Sequence, residues 1–346
     1  MHPQKKKVMQ KRRILLIVLA VGILIVFRQL NPVKTQVLQH LTGITMGTIP
    51  YSIKYLAVEE NNYQLEVDSI LVVFNQSLST YIPDSEISRF NHNDSLTYES
   101  TFLYPVLKMS QEMFDNSNGA YDPTIGPLVN AWGFGPKKKA MLDSAIVDSL
   151  LKVVGFEQVI FDETAATKPP HTYLDFSASA KGYALDVIAN FLERHDVDSY
   201  MIEIGGEVRC QGQNQNQTVW KIGIEKPELN QGLGNPYATV FVNDRSLATS
   251  GNYRNYYEEN GRIIAHTISP FTGYTVAHNL LSASVFAPNC TLADGYATAC
   301  MVLGLEGSIE MIEKLNGIDA FFIYSDQNGE LKHFATAGIE LQIEVL

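Results

Sequence analysis

The sequence predicts an α+β fold, in which a largely antiparallel sheet carries packed helices and follows one N-terminal hydrophobic segment. The first observation is composition, because 346 residues with 45% hydrophobic and 18% charged side chains are typical of a globular protein. The second is that short apolar strands come in groups between helices. The third is a basic and apolar N-terminus unlike the rest. We therefore expect an N-terminal segment at residues 1–30 and a single domain at residues 31–346.

The N-terminal segment combines a basic cluster with an apolar run. Seven Lys and Arg and no acidic residue occur in residues 1–28, and the apolar run covers residues 14–27. This order is typical of an export signal. The run is short for a spanning helix, which needs about 20 residues, so it fits either a cleaved signal or a short signal-anchor. No small-x-small cleavage site is evident, which favours the anchor, and the unmixed positive charges argue against a buried core helix.

Residues 29–346 are strongly acidic, in contrast to the basic N-terminus. This difference predicts on which side of the membrane the domain lies, and it argues against nucleic acid as a partner. With seven of the 26 Lys and Arg in residues 1–28, the remainder has 19 against 37 acidic residues, a formal charge of −18. Because positive flanks stay inside, we expect a single anchor in the cell inner membrane and a domain facing the periplasm or another extracytoplasmic side. Nucleic acid is excluded as a partner, because no basic patch is evident.

The three cysteines are Cys210, Cys290 and Cys300. They form no Cys-x-x-Cys pair, which argues against a zinc site or a redox motif, and their odd number argues against a disulfide framework. We expect them to be small buried side chains.

Apolar residues at helical spacing predict most of the helices. The predicted helices cover residues 62–78, 102–116, 143–153, 180–194 and 293–303, the last closed by Gly304. A Pro-Asp-Ser turn at residues 83–85 caps a short element at residues 87–90. Residues 120–136, which are rich in Gly and Pro, are predicted to form a long ordered loop.

Short apolar runs predict the strands. They cover residues 173–176, 200–204, 208–210, 220–224, 239–242, 321–324 and 339–345. Residues 31–44 are predicted to be a linker or a first strand. No linker divides the chain beyond residue 31, which favours one domain.

The common nucleotide-binding signatures are absent from the sequence. There is no Gly-x-x-x-x-Gly-Lys-Ser/Thr loop, and the Gly-Phe-Gly at residues 133–135 lacks the third glycine of a dinucleotide fingerprint, because Lys138 stands there. A Gly-x-Ser-x-Gly nucleophile elbow is also absent. Any nucleotide site must therefore use another design.

Asp294 and Thr298 are candidate metal ligands. They stand four residues apart on the last predicted helix, which places both side chains on one face. A carboxylate and a hydroxyl are hard oxygen donors, which Mg²⁺ uses together with phosphate oxygens and water, and Mn²⁺ accepts the same donors. The same spacing also fits a helix carboxylate and an unrelated surface hydroxyl.

Two segments are candidate ligand loops. Residues 174–182 lead from an apolar run through small residues to a helix start, where the helix N-terminus and Lys181 favour an anion. Gly205 and Gly206 follow an apolar strand directly, and glycines there allow positive φ or close approach of a ligand. A tight helix connection with a solvated lysine, and a plain hairpin turn, explain the same residues without a ligand.

His266 is a candidate general base. It precedes a turn with Pro and Gly at residues 269–273. A histidine can accept the proton of a hydroxyl nucleophile near neutral pH. A single histidine is also a common structural residue, so the motif alone does not decide.

Together these segments resemble the ApbE family, the FAD:protein FMN transferases. The resemblance extends over residues 46–304. Eight segments carry it: Met-Gly-Thr at 46–48 with Tyr51, Ser-Thr-Tyr at 79–81 with 85–91, Gly-Ala-Tyr-Asp-Pro-Thr at 119–124 with 126–135, residues 175–182, Gly205-Gly206, Ala-Thr-Ser-Gly at 248–251, residues 266–273, and Asp-Gly-Tyr-Ala-Thr at 294–298. The chain departs from the family pattern at Ser269, where Asp is more usual, and at Glu207, where Asp or Asn is common.

The resemblance implies an ApbE or T-fold-like domain and a role for each matched position. It implies contacts with FAD by Met46, Tyr81, Ala120, Tyr121, Asp122, Asp175, Lys181, His266 and Thr267. It implies that Mg²⁺ is bound by the Ala178 carbonyl, Asp294 and Thr298, together with the FAD pyrophosphate. His266, as the base, and Asp294 are the implied catalytic residues.

The resemblance also implies the reaction, which is Mg²⁺-dependent transfer of FMN from FAD to a Ser or Thr hydroxyl of a target protein, with release of AMP. The implied partners are FAD and exported or membrane redox subunits that carry the acceptor. Three other functions use the same residues: hydrolysis of FAD to FMN and AMP, flavin binding without catalysis, and electron transfer with retained FAD. The sequence does not separate transfer from hydrolysis, because the site would be identical.

Overall fold

The structure, a computed structural model, describes Leu16 and residues 36–58, 61–136, 139, 141–227, 236–253, 256–259 and 262–346. The chain divides into two compact units, Met1–Val37 with Ala57–Asn61, and Leu38–Leu56 with Asn62–Leu346. All candidate site residues belong to the second unit. The predicted hydrophobic segment at residues 1–30 lies outside the described residues except for Leu16, and a single domain at residues 31–346 stays a prediction. None of the helices in the described ranges is long and apolar enough to span a bilayer.

The helices of the described residues follow the apolar spacing closely. They are α1 (Gln64–Leu78), α2 (Glu86–His92), α3 (Leu103–Asn116), α4 (Gly126–Trp132), α5 (Ser144–Leu151), α6 (Ala180–Arg194) and α7 (Cys290–Ile312). The predicted cap before α2 is confirmed, because the Ser85 side chain accepts a hydrogen bond from the backbone N–H of Ser88 at 3.1 Å.

The strands form one large sheet and three small ones. They are β1 (Gln36–Thr45), β2 (Ile49–Val58), β3 (Ser95–Thr97), β4 (Ile160–Phe161), β5 (Ala165–Thr167), β6 (Tyr200–Ile204), β7 (Glu207–Gln211), β8 (Trp220–Glu225), β9 (Pro236–Val242), β10 (Arg245–Gly251), β11 (Tyr256–Glu259), β12 (Arg262–Ala265), β13 (Leu280–Ala287), β14 (Asp319–Ser325), β15 (Leu331–Ala335) and β16 (Ile343–Val345). The eight-stranded sheet has the order β1-β2-β6-β7-β10-β13-β14-β15. Its pairs from β2 onward are antiparallel, which confirms the predicted α+β fold.

One predicted loop contains a helix. Residues 120–136 were expected to be irregular, but α4 occupies residues 126–132. Its proline stands in the first turn, and Gly133 ends it with φ of 87°. Both residues are helix boundary signals as well as loop signals, and here they bound a helix.

Two strand predictions and one helix end are also wrong. Residues 173–176 form no strand, and Tyr173 makes only an isolated parallel bridge to Ile125. The last predicted strand is a 3-10 turn at Glu340–Gln342 followed by β16. Gly304 does break the helical conformation, with φ of 75°, but helical turns resume directly after it and α7 continues to Ile312.

The main core lies around α7, which packs against α3, α6, β10 and β13. Gly295 permits this, because a Cβ there would lie 2.1 Å from the Sδ of Met113 on α3. The three cysteines are free and buried, as predicted. Burial raises the pKa of each thiol, so none is an activated nucleophile. The core therefore fixes α7, which carries the candidate metal ligands.

Candidate active site

The site is built where the N-terminal turn of α6 crosses the first turns of α7. The backbone N–H of Gly182 donates to Asp294 Oδ2 at 3.0 Å. A Cβ at position 182 would lie 2.1 Å from the carbonyl oxygen of Cys290 and 2.9 Å from the Cβ of Asp294. Only glycine allows the two helices to approach this closely. The helix N-terminus of α6 therefore faces a buried carboxylate of α7.

Lys181 lies between two buried carboxylates at this crossing. Its Nζ is 3.5 Å from Asp294 Oδ1 and 3.6 Å from Glu207 Oε1. Burial alone would lower the pKa of Lys181, but the two carboxylates outweigh it and hold that pKa above its usual value. Asp294 and Glu207 therefore share the positive charge of Lys181.

Glu207 reaches Lys181 because of the hairpin between β6 and β7. The turn consists of Gly205 and Gly206, with φ of 62° and 102°, which non-glycine residues rarely adopt. A Cβ on Gly205 would lie 2.8 Å from Ile49 and 3.5 Å from Cδ of Lys181. The two glycines therefore form a hairpin turn, and that turn also borders the site.

Asp294 and Thr298 lie in helical register one turn apart on α7, as predicted. The side chain of Asp294 is 4% exposed. Burial raises the pKa of this carboxyl, and Lys181 and the Gly182 N–H offset part of that rise. Thr298 is half-buried, and its Oγ1 is 3.4 Å from Ser250 Oγ at the end of β10. Ala178 is half-buried just before α6 and packs on the same core.

The predicted ligands thus supply one carboxylate, one hydroxyl and one backbone carbonyl. No group of three or more His, Cys, Asp or Glu side chains that could hold a metal ion occurs within the described ranges. A site of this kind depends on oxygen donors from the substrate to complete a shell, as Mg²⁺ sites commonly do.

The segment with Ala120, Tyr121 and Asp122 lies beneath the site. Ala120 and Tyr121 are 2% and 1% exposed. The Tyr121 hydroxyl lies 2.7 Å from Ser179 Oγ, directly before α6. Asp122 accepts hydrogen bonds from the N–H and hydroxyl of Thr124 at 2.7 and 2.6 Å, while burial raises its pKa. Tyr121 therefore supports the start of α6, and contact of these three residues with FAD stays a prediction.

Asp175 is buried, and Tyr81 lies near it at the protein surface. Asp175 is 7% exposed and accepts hydrogen bonds from the N–H and the hydroxyl of Ser177. Burial raises its pKa. Tyr81 is 64% exposed, and its hydroxyl donates to the carbonyl of Phe134 at 3.5 Å. Partial burial, together with the negative charge of Asp175, raises the pKa of Tyr81, so the two side chains are close in space.

Met46 occupies the turn between β1 and β2. It is half-buried and adopts positive φ, 47°. After this turn, the carbonyl of Pro50 accepts a hydrogen bond from the N–H of Gly205 at 3.2 Å. The turn therefore lies at the same end of the sheet as the glycine hairpin, which borders Lys181 of α6.

The segment that contains His266 is connected to the candidate metal ligands by contacts at the end of β10. His266 is half-buried, and its ring lies 6.3 Å from that of Phe134 in a T-shaped contact. Thr267 Oγ1 donates to Asn252 Oδ1 at 2.9 Å, and Asn252 stands two residues after the Ser250 that contacts Thr298. The end of β10 thus links the histidine segment to the candidate metal ligands.

Three of these partners were not singled out as site residues from the sequence. They are Ser250, Asn252 and Ser179. Ser250 lies in the Ala-Thr-Ser-Gly segment, Asn252 follows that segment directly, and Ser179 precedes the Ala-Lys-Gly helix start. Their position in or beside matched motifs was the available signal, but Ser250 and Ser179 have partners that are distant in sequence.

The structure is an antiparallel α+β domain in which a lysine and a buried carboxylate meet at a helix N-terminus, a position that favours anionic ligands. The family model described as the ApbE family matches residues 46–322. The chain belongs to the ApbE family, and the resemblance seen in the sequence is confirmed.

Relatives and solved structures agree with this assignment. The chain is 37% identical to the FAD:protein FMN transferase of Vibrio cholerae over 87% of this chain and 91% of the relative. It is 38% identical to that of Haemophilus influenzae, over 84% and 87%. Among solved structures, the flavin transferase ApbE of Vibrio cholerae has a TM-score of 0.78 at 34% identity, covering 89% and 99%. The Pseudomonas stutzeri flavinyl transferase ApbE has a TM-score of 0.79 at 30% identity, covering 89% and 97%.

Proposed function

We propose that this chain transfers FMN from FAD to a Ser or Thr hydroxyl of another protein, with release of AMP, and that the reaction needs Mg²⁺. The observation that carries the proposal is the Lys181, Asp294 and Thr298 arrangement at the crossing of α6 and α7. Family membership and relatives that are FAD:protein FMN transferases support it.

The residues present fit a Mg²⁺ ion. Asp294 is a buried carboxylate whose oxygens lie near Lys181 and the N–H of Gly182, and Thr298 adds a hydroxyl one turn later. A carboxylate and a hydroxyl are the hard oxygen donors that Mg²⁺ prefers. Asp294, Thr298 and the Ala178 carbonyl would hold the ion. When bound, Mg²⁺ supplies charge neutralisation at the pyrophosphate.

The same crossing suits a pyrophosphate. The N-terminus of α6 contributes a positive helix dipole, and Lys181 adds a cation. The rest of FAD is proposed to contact eight further residues: Met46, Tyr81, Ala120, Tyr121, Asp122, Asp175, His266 and Thr267. Tyr81, with its exposed ring, is the side chain in this set best suited to stack on a flavin.

His266 is the proposed base. The acceptor hydroxyl oxygen bonds to the phosphorus on the riboflavin side, the bond from that phosphorus to the bridging oxygen breaks, and AMP leaves. His266 takes the hydroxyl proton. Most of the remaining work in such a displacement is to place the nucleophile in line with the phosphorus. The contacts of Thr267 with Asn252 and of Ser250 with Thr298 connect the segment of the proposed base to a proposed metal ligand.

We further propose that the acceptors are exported or membrane redox subunits, and that residues 1–30 anchor the enzyme in the inner membrane with the domain outside. The basic, then apolar, order of that segment supports this location. Export would bring the enzyme to the side on which such subunits reside.

The test mixes the purified full chain with FAD, Mg²⁺ and a peptide that carries an acceptor threonine. AMP release and peptide mass are followed together. An FMN-sized mass gain with equal AMP, abolished by EDTA and by Asp294→Ala, is expected. AMP with free FMN and no modified peptide would establish hydrolysis instead. Bound FAD without either product would leave a flavin-binding protein, and reversible bleaching with an electron donor would indicate a redox role.

A further inference from the structure

Asp186 joins α6 to the first turn of α7. It lies four residues after Gly182, on the same face of α6, and is 6% exposed. Its Oδ1 accepts from the backbone N–H of Cys290 at 2.8 Å, and its Oδ2 accepts from that of Thr291 at 2.8 Å. The Thr291 hydroxyl donates to the same Oδ2 at 2.5 Å. Asp186 therefore caps the N-terminus of α7 from another helix.

This cap is paired with a second, opposite contact one turn away. Gly182, one turn before Asp186 on α6, donates its N–H to Asp294, which lies one turn after Cys290 on α7. Each helix thus gives a carboxylate to backbone N–H groups of the other. Two such contacts, four residues apart on both helices, fix how far α7 slides along α6 and how it rotates.

The charge on Asp186 is also compensated locally. Arg209 Nη1 on β7 donates to Asp186 Oδ1 at 2.6 Å, and Arg209 Nη2 contacts Glu193 at 3.3 Å. A negative side chain at a helix N-terminus is favoured by the helix dipole. Since the side chain of Asn289 separately caps Leu292 at 2.9 Å, α7 can form without Asp186. What Asp186 adds is the attachment to α6.

We propose that Asp186 is a positioning residue for the reaction, because it sets the register in which Asp294 and Thr298 meet Lys181 and the N-terminus of α6. The inference rests on the proposed function. Asp186 touches neither metal nor substrate in this role, and it acts through the placement of α7.

Asp186→Asn is the test variant. The amide keeps the shape of the carboxylate, but its NH₂ group must face a donor at either oxygen position, since all four partners donate. The first readout is the Mg²⁺ concentration that gives half of the FAD fluorescence change on binding. We expect it to rise at least tenfold, with a lower kcat and an unchanged KM for the acceptor peptide.

Two control variants separate positioning from loss of stability. Glu193→Gln removes a carboxylate from the same helix and the same Arg209, but that carboxylate has no bond to α7. Asp319→Asn breaks a similar carboxylate–arginine pair, in which Asp319 accepts from Arg245 at 2.8 Å and Thr336 at 2.7 Å, away from α6 and α7. Both should keep the Mg²⁺ dependence of the wild type, even where Asp319→Asn unfolds as easily as Asp186→Asn.

A second readout needs no ligand, so it distinguishes failure of this inference from failure of the proposed function. Amide hydrogen exchange of Gly182, Cys290 and Thr291 in the free protein should accelerate in Asp186→Asn and stay unchanged in Glu193→Gln. If the wild type shows no Mg²⁺-dependent FAD binding but the exchange pattern holds, the proposed function fails and the register role stands.

Unchanged exchange at Gly182, or a wild-type Mg²⁺ dependence in Asp186→Asn, would overturn the inference. If Asp186→Asn does not fold, Thr291→Val takes its place. It removes only the hydroxyl bond to Asp186 and should raise the half-saturating Mg²⁺ concentration by a smaller factor of about two to five. No rise in that variant would also overturn the inference.

Discussion

Lys181 Nζ lies 3.5 Å from Asp294 Oδ1, across a helix crossing that only Gly182 makes possible. The same ammonium lies 3.6 Å from Glu207. The lysine thus pairs with two buried carboxylates at once. These contacts hold Asp294 beside the N-terminal turn of α6, and they motivate the first two predictions.

Lys181→Met should destabilise the protein and abolish FAD cleavage. Removing one partner of a buried ion pair costs about 3–5 kcal/mol, and the 23% exposure of the lysine side chain reduces this to about 2–4 kcal/mol through solvent screening. Urea unfolding measures the loss of stability, and AMP release measures activity.

The double variant Lys181→Met with Glu207→Gln is the control for that loss. It removes one of the two buried carboxylate charges that lose their lysine partner, so it should recover part of the stability but none of the activity. Recovery of both would mean that Lys181 serves the fold only.

Thr298→Val should weaken the metal site with little effect on folding. The substitution conserves volume and removes the hydroxyl that lies 3.4 Å from Ser250. We expect the half-saturating Mg²⁺ concentration to rise about 10-fold to 100-fold, the range found when groups around a metal are removed. Thr298→Ser, which keeps the hydroxyl, should behave as the wild type. Equal behaviour of the two variants would remove Thr298 from the ligand set.

Gly182→Ala should push α6 and α7 apart. The new Cβ would meet the Cys290 carbonyl oxygen at 2.1 Å, and backbone atoms there have little freedom to move. Such overpacking costs about 1–3 kcal/mol or more, and AMP release should fall with it. Gly223→Ala is the matched control, because its Cβ would meet only Pro236 at 3.5 Å. The denaturant midpoints of both variants measure the loss of stability, which should be larger for Gly182→Ala.

Asp175→Asn should gain stability relative to the wild type as pH rises. Burial raises the pKa of Asp175 in the folded protein, so the fold holds its proton to a higher pH than the unfolded chain does. The wild type therefore loses stability as pH rises from about 4 through that raised pKa, and an uncharged Asn does not. FAD binding should weaken in the same variant. Thermal unfolding from pH 3 to pH 7 measures the difference.

The control for this pH effect has the opposite sign. Asp162 is exposed, and hydrogen bonds from Thr164 and Ala165 lower its pKa. Its contribution to stability is present above the unfolded pKa and is lost as pH falls through the lowered one. Asp162→Asn should therefore cost most near pH 7. A pH-independent effect of Asp175→Asn would contradict the buried-charge explanation.

The sequence predicted those parts of the site that depend on local spacing. Asp294 and Thr298 share a face because helical periodicity alone places them there, and the helix start at Lys181 followed from small residues before an apolar repeat. The contact between Lys181 and Asp294 joins residues 113 positions apart. The periodicity of apolar residues does not predict that contact, because the contact depends on the absence of a side chain at Gly182.

Two wrongly predicted segments, residues 120–136 and 173–176, contain residues that are compatible with more than one local structure. The proline and glycine around residues 126–133 were taken as loop signals, but they stand at the first turn and at the end of α4. The apolar residues of 173–176 were taken as a strand, yet they are buried without ladder partners beyond Tyr173. In both cases tertiary packing decided between two structures that the same residues allow.

His266→Asn should stop the transfer of FMN while leaving FAD in place. A positioned general base contributes about 10²–10⁴-fold to a rate, so single-turnover transfer to the acceptor peptide should fall by that factor. FAD affinity, measured by fluorescence, should fall by a much smaller factor than the transfer rate, because the other proposed FAD contacts, Lys181 among them, remain. His333→Gln, at an exposed histidine that packs on Phe321 of β14, is the control and should transfer FMN at the wild-type rate.

If His266→Asn instead releases AMP at the normal rate without labelling the peptide, His266 selects the acceptor rather than removing its proton. If transfer is unchanged, the base lies elsewhere on the rim of the site, and the connection from Thr267 through Asn252 to β10 serves only to hold the turn.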